Sequence, residues 1–113
     1  MNWMKTLFGL VALTFSLSAN SQGSATNATI TSLYINASYS MVFIGVNVTK
    51  TSNPACSIGG FAFVLPLTAS STVDNQMLAL LIAARSSQTP VTLTGTGTCT
   101  VYSDVETLQT ESF

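Results

Sequence analysis

Threonine occupies every second position from residue 92 to residue 100, and this alternation restricts the fold more than any other feature of the chain. The positions between the threonines, from 91 to 101, hold Val, Leu, Gly, Gly, Cys and Val. Successive side chains of a β-strand point to opposite faces. Residues 91–101 are therefore predicted to form a strand with threonines on its outer face and apolar residues on its inner face.

Two glycines, Gly95 and Gly97, lie on the predicted inner face. A phosphate-binding loop would need a helix after the glycines and usually a lysine to reach the phosphates, and this chain has neither downstream of residue 97. A glycine inside a strand permits a sharp bend or the close approach of another backbone. We therefore interpret the pair as a bend, of the kind found at the corner of a barrel.

Other parts of the chain indicate four more strands and one helix. Alternation and β-branched residues predict strands at residues 29–35, 42–49, 59–67 and 105–112. Pro66 places the far end of the third strand at an edge or an exit of the sheet. Residues 74–86 are rich in helix-forming residues. This order favours a mainly β fold, a small five-stranded Greek-key barrel of the oligonucleotide- and oligosaccharide-binding type. The alternative is an open α+β sheet with one helix on one face.

The predicted helix carries apolar residues on all sides. Every residue from 77 to 84 is apolar, which predicts burial of most of the helix surface, either across a curved sheet or against another subunit. A Ser or Thr at 70–72 can cap its start. Asp74 and Arg85 lie at the ends that the helix dipole favours for their charges.

The first 21 residues have the layout of a secretory signal peptide. Lys5 precedes an uncharged apolar run at residues 7–17, and small and polar residues follow. The run is shorter than the roughly 20 residues that cross a bilayer. We therefore predict a signal peptide at 1–21, a flexible polar lead-in at 22–28 and a single domain at 29–113. The location is secreted or periplasmic.

Both cysteines, Cys56 and Cys99, lie in the predicted exported part. An even number of cysteines in an oxidising compartment predicts a disulfide. A metal site or a catalytic thiol would need partners such as histidine, and the chain has no histidine. We expect a Cys56–Cys99 disulfide, no metal site and no cofactor.

The charges argue against several classes of function. Loss of the signal peptide leaves two cations, Lys50 and Arg85, against four acidic residues. Nucleic-acid binding needs several Lys or Arg contacts to phosphate. Asp104 and Glu106 have the i, i+2 spacing that would let two carboxylates share a strand face for glycoside hydrolysis, but a charged turn is the simpler interpretation. We predict a protein without catalytic residues that binds no nucleic acid and inserts in no membrane.

Two tyrosines are the candidate ligand contacts. Tyr39 and Tyr102 lie beside predicted turns, and a tyrosine offers a sugar ring an apolar face with a polar handle. The alternative interpretation is that both are partly exposed residues at strand ends.

The segment from residue 53 onward resembles a group of small exported bacterial proteins of largely unassigned function. The features that resemble this group are Asn53-Pro54-Ala55-Cys56, the helix MLALLIAARSSQTPV, and GTGTC followed by VYSDVETL. The order of elements is also loosely similar to the pentameric B subunits of subtilase-cytotoxin and pertussis-like toxins, barrels that dock on cell-surface glycans. This resemblance implies an exported binding or assembly module for glycans, with self-association through the 74–86 helix. The alternative is a structural or stress-related envelope protein with no small ligand.

Overall fold

The computed structural model describes residues 21–68 and 71–113. All but the last residue of the predicted signal peptide, 1–21, lies outside the described residues. The described chain is mainly β with one helix. In chain order its elements are β1 (Ser24–Ala28), β2 (Ile30–Asn36), β3 (Met41–Val46), β4 (Phe63–Pro66), α1 (Thr72–Ser87), β5 (Val91–Gly95) and β6 (Leu108–Ser112).

The strands form two antiparallel sheets of three strands each, in the orders β1-β5-β6 and β2-β3-β4. They do not close into the five-stranded barrel that the sequence favoured, and the open α+β alternative fits. The turn of the β2–β3 hairpin lies at 37–40, within the turn that the sequence predicts at 36–40. Pro66 lies on β4, the edge strand, as predicted. The sheets meet where the Val64 N–H donates to the carbonyl of Glu106 at 2.9 Å.

Strand β1 lies where the sequence predicted a flexible lead-in at 22–28. It pairs with β5, and Ala25 and Ala28 are fully buried. Polar residues surround these two alanines in the sequence, so only the partner strand and the core beneath them reveal the pairing. The register shifts between the two alanines, and Asn27 adopts a left-handed conformation at φ 53°.

The threonine-faced segment is shorter as a strand than predicted, because β5 ends at Gly95. Gly97 follows with φ 85°, a left-handed conformation that glycine adopts without steric cost. The alternation of faces is confirmed: Val91, Leu93, Gly95 and Gly97 are buried, whereas the threonines between them are partly exposed. The glycines therefore do mark a bend.

Strand β3 is buried on both faces, although its alternation predicted one buried face. Val42 and Ile44 face the main core, to which both sheets and α1 contribute. Met41 and Phe43 face the opposite way, into a second apolar cluster with Val64 and Val105. The second cluster lies on the face of this sheet that α1 does not cover.

Helix α1 has the predicted cap and charges but not the predicted burial. The Ser71 hydroxyl accepts from the Asp74 N–H at 3.2 Å, and Arg85 lies in the last turn. Only Leu81 and Ala84 are buried, whereas Leu80 and Ile82 are each almost half exposed. Within this chain one stripe of α1 packs against the main core, and burial of its other side against another subunit stays a prediction. No helix among the described residues has the length and hydrophobicity needed to cross a membrane.

Candidate functional site

The two tyrosines singled out from the sequence lie side by side. Tyr39 lies in the turn between β2 and β3, and Tyr102 lies in the loop that precedes β6. Their ring centroids are 6.1 Å apart, with the rings tilted by 58°. Tyr39 is 58% exposed. The fold thus brings two aromatic rings from distant parts of the chain to one place on the surface.

Three further rings continue from this pair across the uncovered face of the β2-β3-β4 sheet. Tyr34 and Phe43 are cross-strand partners with centroids 5.9 Å apart. Phe61 stacks on Tyr34 at 6.2 Å, with the planes within 7° of parallel. Phe43 also meets Tyr102 edge to face at 5.0 Å. Such geometries are favourable for aromatic pairs, and the rings hold one another in place.

These five rings line a depression of about 370 Å³ that we call the aromatic cleft. Its volume is at the lower end of the range of small-molecule sites, roughly 300 to 1,000 Å³. The remaining lining residues include an amide, a carboxylate and two small residues: Asn36, Asp104, Gly59 and Gly60. The aromatic cleft therefore combines several apolar ring faces with a small number of polar groups, which is the composition of a ligand site.

Backbone contacts fix both walls of the aromatic cleft. The side-chain oxygen of Asn36 accepts from the N–H groups of Ser38 and Tyr39, at 3.0 and 3.2 Å, and so holds the turn that carries the Tyr39 ring. On the other wall, the Asp104 carbonyl accepts from the N–H groups of Ile58 and Gly59, at 3.0 and 2.8 Å. These contacts order both walls, and an ordered site lowers the entropic cost of binding.

The alternation of side chains in the sequence does not predict most of this cleft. It places Phe43 on the face of its strand opposite to Val42 and Ile44 and gives no sign of the rings that cover it. It also placed Phe61 on the same face as Phe63, but β4 begins only at Phe63 and the chain bends at 59–62. Phe63 therefore enters the main core while Phe61 joins the aromatic rings. A phenylalanine on an outward-facing position of a central strand was the available signal.

A second, more polar depression adjoins the aromatic cleft. It measures about 340 Å³ and shares Gly59, Gly60 and Phe61 with it. Its other walls carry hydroxyl and amide side chains, among them Thr31, Ser32, Asn53 and Ser57. The two depressions thus lie on either side of one short stretch of chain.

Glu106 does not join Asp104 in a carboxylate pair. Its side chain is fully buried, and its carboxylate accepts from the N–H groups of Gly23 at 3.0 Å and Gly97 at 2.9 Å. Lys50 completes the site with an ion pair of 2.8 Å. Asp104, by contrast, is exposed and lines the aromatic cleft. The two carboxylates therefore lie in different environments, and they are not placed together as a pair for glycoside hydrolysis.

Gly95 makes room for the carboxylate of Glu106. A Cβ added at Gly95 would overlap the Glu106 side chain at its carboxylate, and one added at Gly23 would come within 2.5 Å of it. Lys50 also donates to the Ala62 carbonyl at 2.8 Å and lies 4.5 Å from the centre of the Phe63 ring. Besides marking a bend, the GTGTC segment thus makes room at Gly95 for a buried carboxylate, which the sequence did not predict.

A second acidic residue, Glu111 on β6, lacks such partners. Both of its carboxylate oxygens are buried, and neither has a hydrogen-bond partner among the described residues. Burial raises the pKa of Glu111 from its ordinary value of 4.5 to about 7. The folded chain therefore keeps a proton at pH values where the unfolded chain has lost it.

The raised pKa predicts a fall in stability between about pH 4.5 and pH 7 that Glu111→Gln should abolish. The contribution of this proton is fully present below the unfolded pKa and is lost as the pH rises through the folded pKa. In urea unfolding the variant should match the natural chain at pH 4.5 and exceed its stability at pH 8. Parallel stability curves for the two proteins across this range would contradict the assignment.

The predicted disulfide is present. Cys56 and Cys99 are bonded, with Cα atoms 6.1 Å apart, and the bridge joins the loop before Gly59 and Gly60 of the cleft wall to the segment that follows Gly97. A disulfide is compatible with an extracytoplasmic location. Within residues 21–68 and 71–113, no group of three or more Cys, Asp or Glu side chains is placed to hold a metal ion.

Comparison of the chain with protein families, with curated proteins and with solved structures finds no match. The aromatic cleft and the chemistry of the residues that line it are therefore the features that indicate a function.

Proposed function

We propose that the chain is an exported, non-enzymatic binding module and that its aromatic cleft holds a glycan. The observation that carries this proposal is the meeting of Tyr39 and Tyr102 at 6.1 Å, at the mouth of a cleft that three other rings complete. The aliphatic face of a sugar ring packs on an aromatic ring, and a tyrosine hydroxyl adds a hydrogen-bonding group at the edge.

The polar residues of the cleft support a hydroxyl-rich ligand. Asn36 and Asp104 bring an amide and a carboxylate to the rim of the rings, and both groups form hydrogen bonds with hydroxyls. The adjoining polar depression offers further hydroxyl and amide side chains beyond Gly59 and Gly60. A ligand longer than one sugar could therefore extend from the aromatic cleft over these two glycines.

The exposed side of α1 supports assembly as a second element of the proposal. Val73, Leu80 and Ile82 are 62, 45 and 46% exposed, so the helix leaves apolar surface uncovered. Several copies joined through the 74–86 segment would present several clefts on one particle. Weak individual sites would then bind a glycan-coated surface with a higher overall strength.

The test is binding of the oxidised protein to a glycan array, with Tyr39→Ala as the variant and Phe113→Ala as the matched control. Both residues are highly exposed aromatics, so neither change should unfold the protein, but only Tyr39 lines the cleft. We expect Tyr39→Ala to weaken binding about tenfold, equivalent to roughly 1.4 kcal/mol. We expect Phe113→Ala to bind as the natural chain does.

Light scattering on the same sample measures whether several clefts act together. A blank array for an assembled, folded protein would contradict the glycan and favour the structural envelope role that needs no small ligand. Glycan binding by a monomer would support the cleft as the binding site and contradict the proposed assembly.

A further inference from the structure

The aromatic cleft carries one charge and it is negative. Asp104 is the charged residue among those that line it. The two cations among the described residues lie outside this cleft. Lys50 forms an ion pair with Glu106, and Arg85 lies in the last turn of α1. In this part of the chain Asp104 therefore has no cation to neutralise it, and the cleft has the sign that attracts a positively charged ligand.

The rings of the aromatic cleft lie in several orientations. Tyr34 and Phe61 lie parallel on one side, Tyr39 and Tyr102 lie tilted to each other on the other, and Phe43 contacts three of the four. Ring faces carry a negative potential that attracts cations, and several faces around one site recognise ammonium groups. Aromatic faces beside a carboxylate distinguish a cation from a neutral group of the same shape.

We propose that the aromatic cleft recognises an organic ammonium group, which contacts the rings that line the cleft and whose charge the Asp104 carboxylate offsets. The inference rests on the proposed function in that it concerns the same cleft, and it names the part of the ligand that binds there. Two sources supply this chemistry: the protonated amine of an amino sugar, and a trimethylammonium group such as that of choline.

The experiment compares probes of equal shape and different charge. Choline and its neutral isostere 3,3-dimethylbutan-1-ol are titrated into the oxidised, ¹⁵N-labelled protein, and the amide signals of Gly59 and Gly60 report the binding. We expect saturable shifts with choline at millimolar concentration and an affinity for the alcohol about five- to tenfold lower, as cation–π attraction at a partly exposed site implies. D-glucosamine and D-glucose, compared in the same way, separate the sugar source from the trimethylammonium source.

Asp104→Asn tests the charge without changing the shape of the cleft. The variant keeps the backbone carbonyl that holds Ile58 and Gly59, so the cleft wall stays in place. It should bind choline several-fold more weakly and bind the alcohol as before. Asp74→Asn, on α1 and outside the cleft, is the matched loss of a negative charge and should leave both affinities unchanged.

The outcomes separate this inference from the proposed function. Equal affinities within both pairs of probes, choline against its isostere and glucosamine against glucose, would overturn the ammonium inference, and so would a selective affinity for the cation that Asp104→Asn does not change. If neutral glycans bind on the array and neither cation binds selectively, the inference fails and the glycan module stands. If choline binds selectively and the array stays blank, the proposal of a glycan ligand is contradicted and the ammonium inference stands. Selective binding of glucosamine over glucose supports both.

Discussion

Lys50→Met is expected to destabilise the protein by about 3 to 5 kcal/mol, because it leaves a buried carboxylate without its counter-ion. Glu106 is fully buried and the side chain of Lys50 is 6% exposed, so water cannot replace the lost ammonium group. Two glycine N–H groups would still bind the carboxylate, but they carry no full charge. A small domain has a free energy of unfolding of about 5 to 15 kcal/mol, so a large part of it would be lost. Urea unfolding at pH 7 measures the change.

Arg85→Met is the matched control for this substitution. It also removes one cation, but from an exposed position in the last turn of α1, where a charge contributes about 0.3 to 1 kcal/mol. The double variant Lys50→Met/Glu106→Leu removes both charges and should recover part of the stability that Lys50→Met loses. A loss below about 1 kcal/mol in Lys50→Met would show that the pair does not stabilise the fold in this way.

The sequence predicted those elements whose signal is local. Alternation located β2, β3 and β5, and helix propensity with a capping residue located α1 within two residues at its start. Strand β1 was not predicted, because its two buried alanines are too small and too few to give an alternating hydrophobic pattern. The barrel was wrong for a related reason: the joining of six short strands into two sheets depends on pairings between distant segments, such as β1 with β5, which no local pattern records.

The candidate site could be predicted only in part. Their positions beside turns indicate Tyr39 and Tyr102 as ligand contacts, and the fold brings these two residues together. Tyr34 and Phe61 were missed, since their place in the cleft depends on a cross-strand register and on a bend at 59–62. Glu106 was interpreted as a residue of a charged turn, because nothing near it in the sequence shows that Gly23 and Lys50 surround it. The chain's apolar composition did limit the functions considered, since too few cations remain for nucleic acid.

Removing the disulfide with Cys56→Ala/Cys99→Ala is expected to destabilise the protein by about 4 kcal/mol. The bridge spans a sequence separation of 43 residues. Closing a loop of this length lowers the entropy of the unfolded chain, which stabilises the folded state by about 4 kcal/mol on the chain-entropy estimate. For a domain of this size the loss compares with that of Lys50→Met. Urea unfolding of the oxidised proteins measures it.

The reductant provides the control, because the double variant has no thiols left to respond. A reducing agent should lower the stability of the natural chain to that of the variant and leave the variant unchanged. The bridge also fixes Cys56 three residues before Gly59 and Gly60 of the cleft wall, so ligand affinity should fall in the variant at temperatures where it is still folded. A natural chain whose unfolding midpoint the reductant does not move would show that the bridge adds no stability. Affinity lost together with the bridge would instead tie the order of the cleft to the oxidised state of the chain.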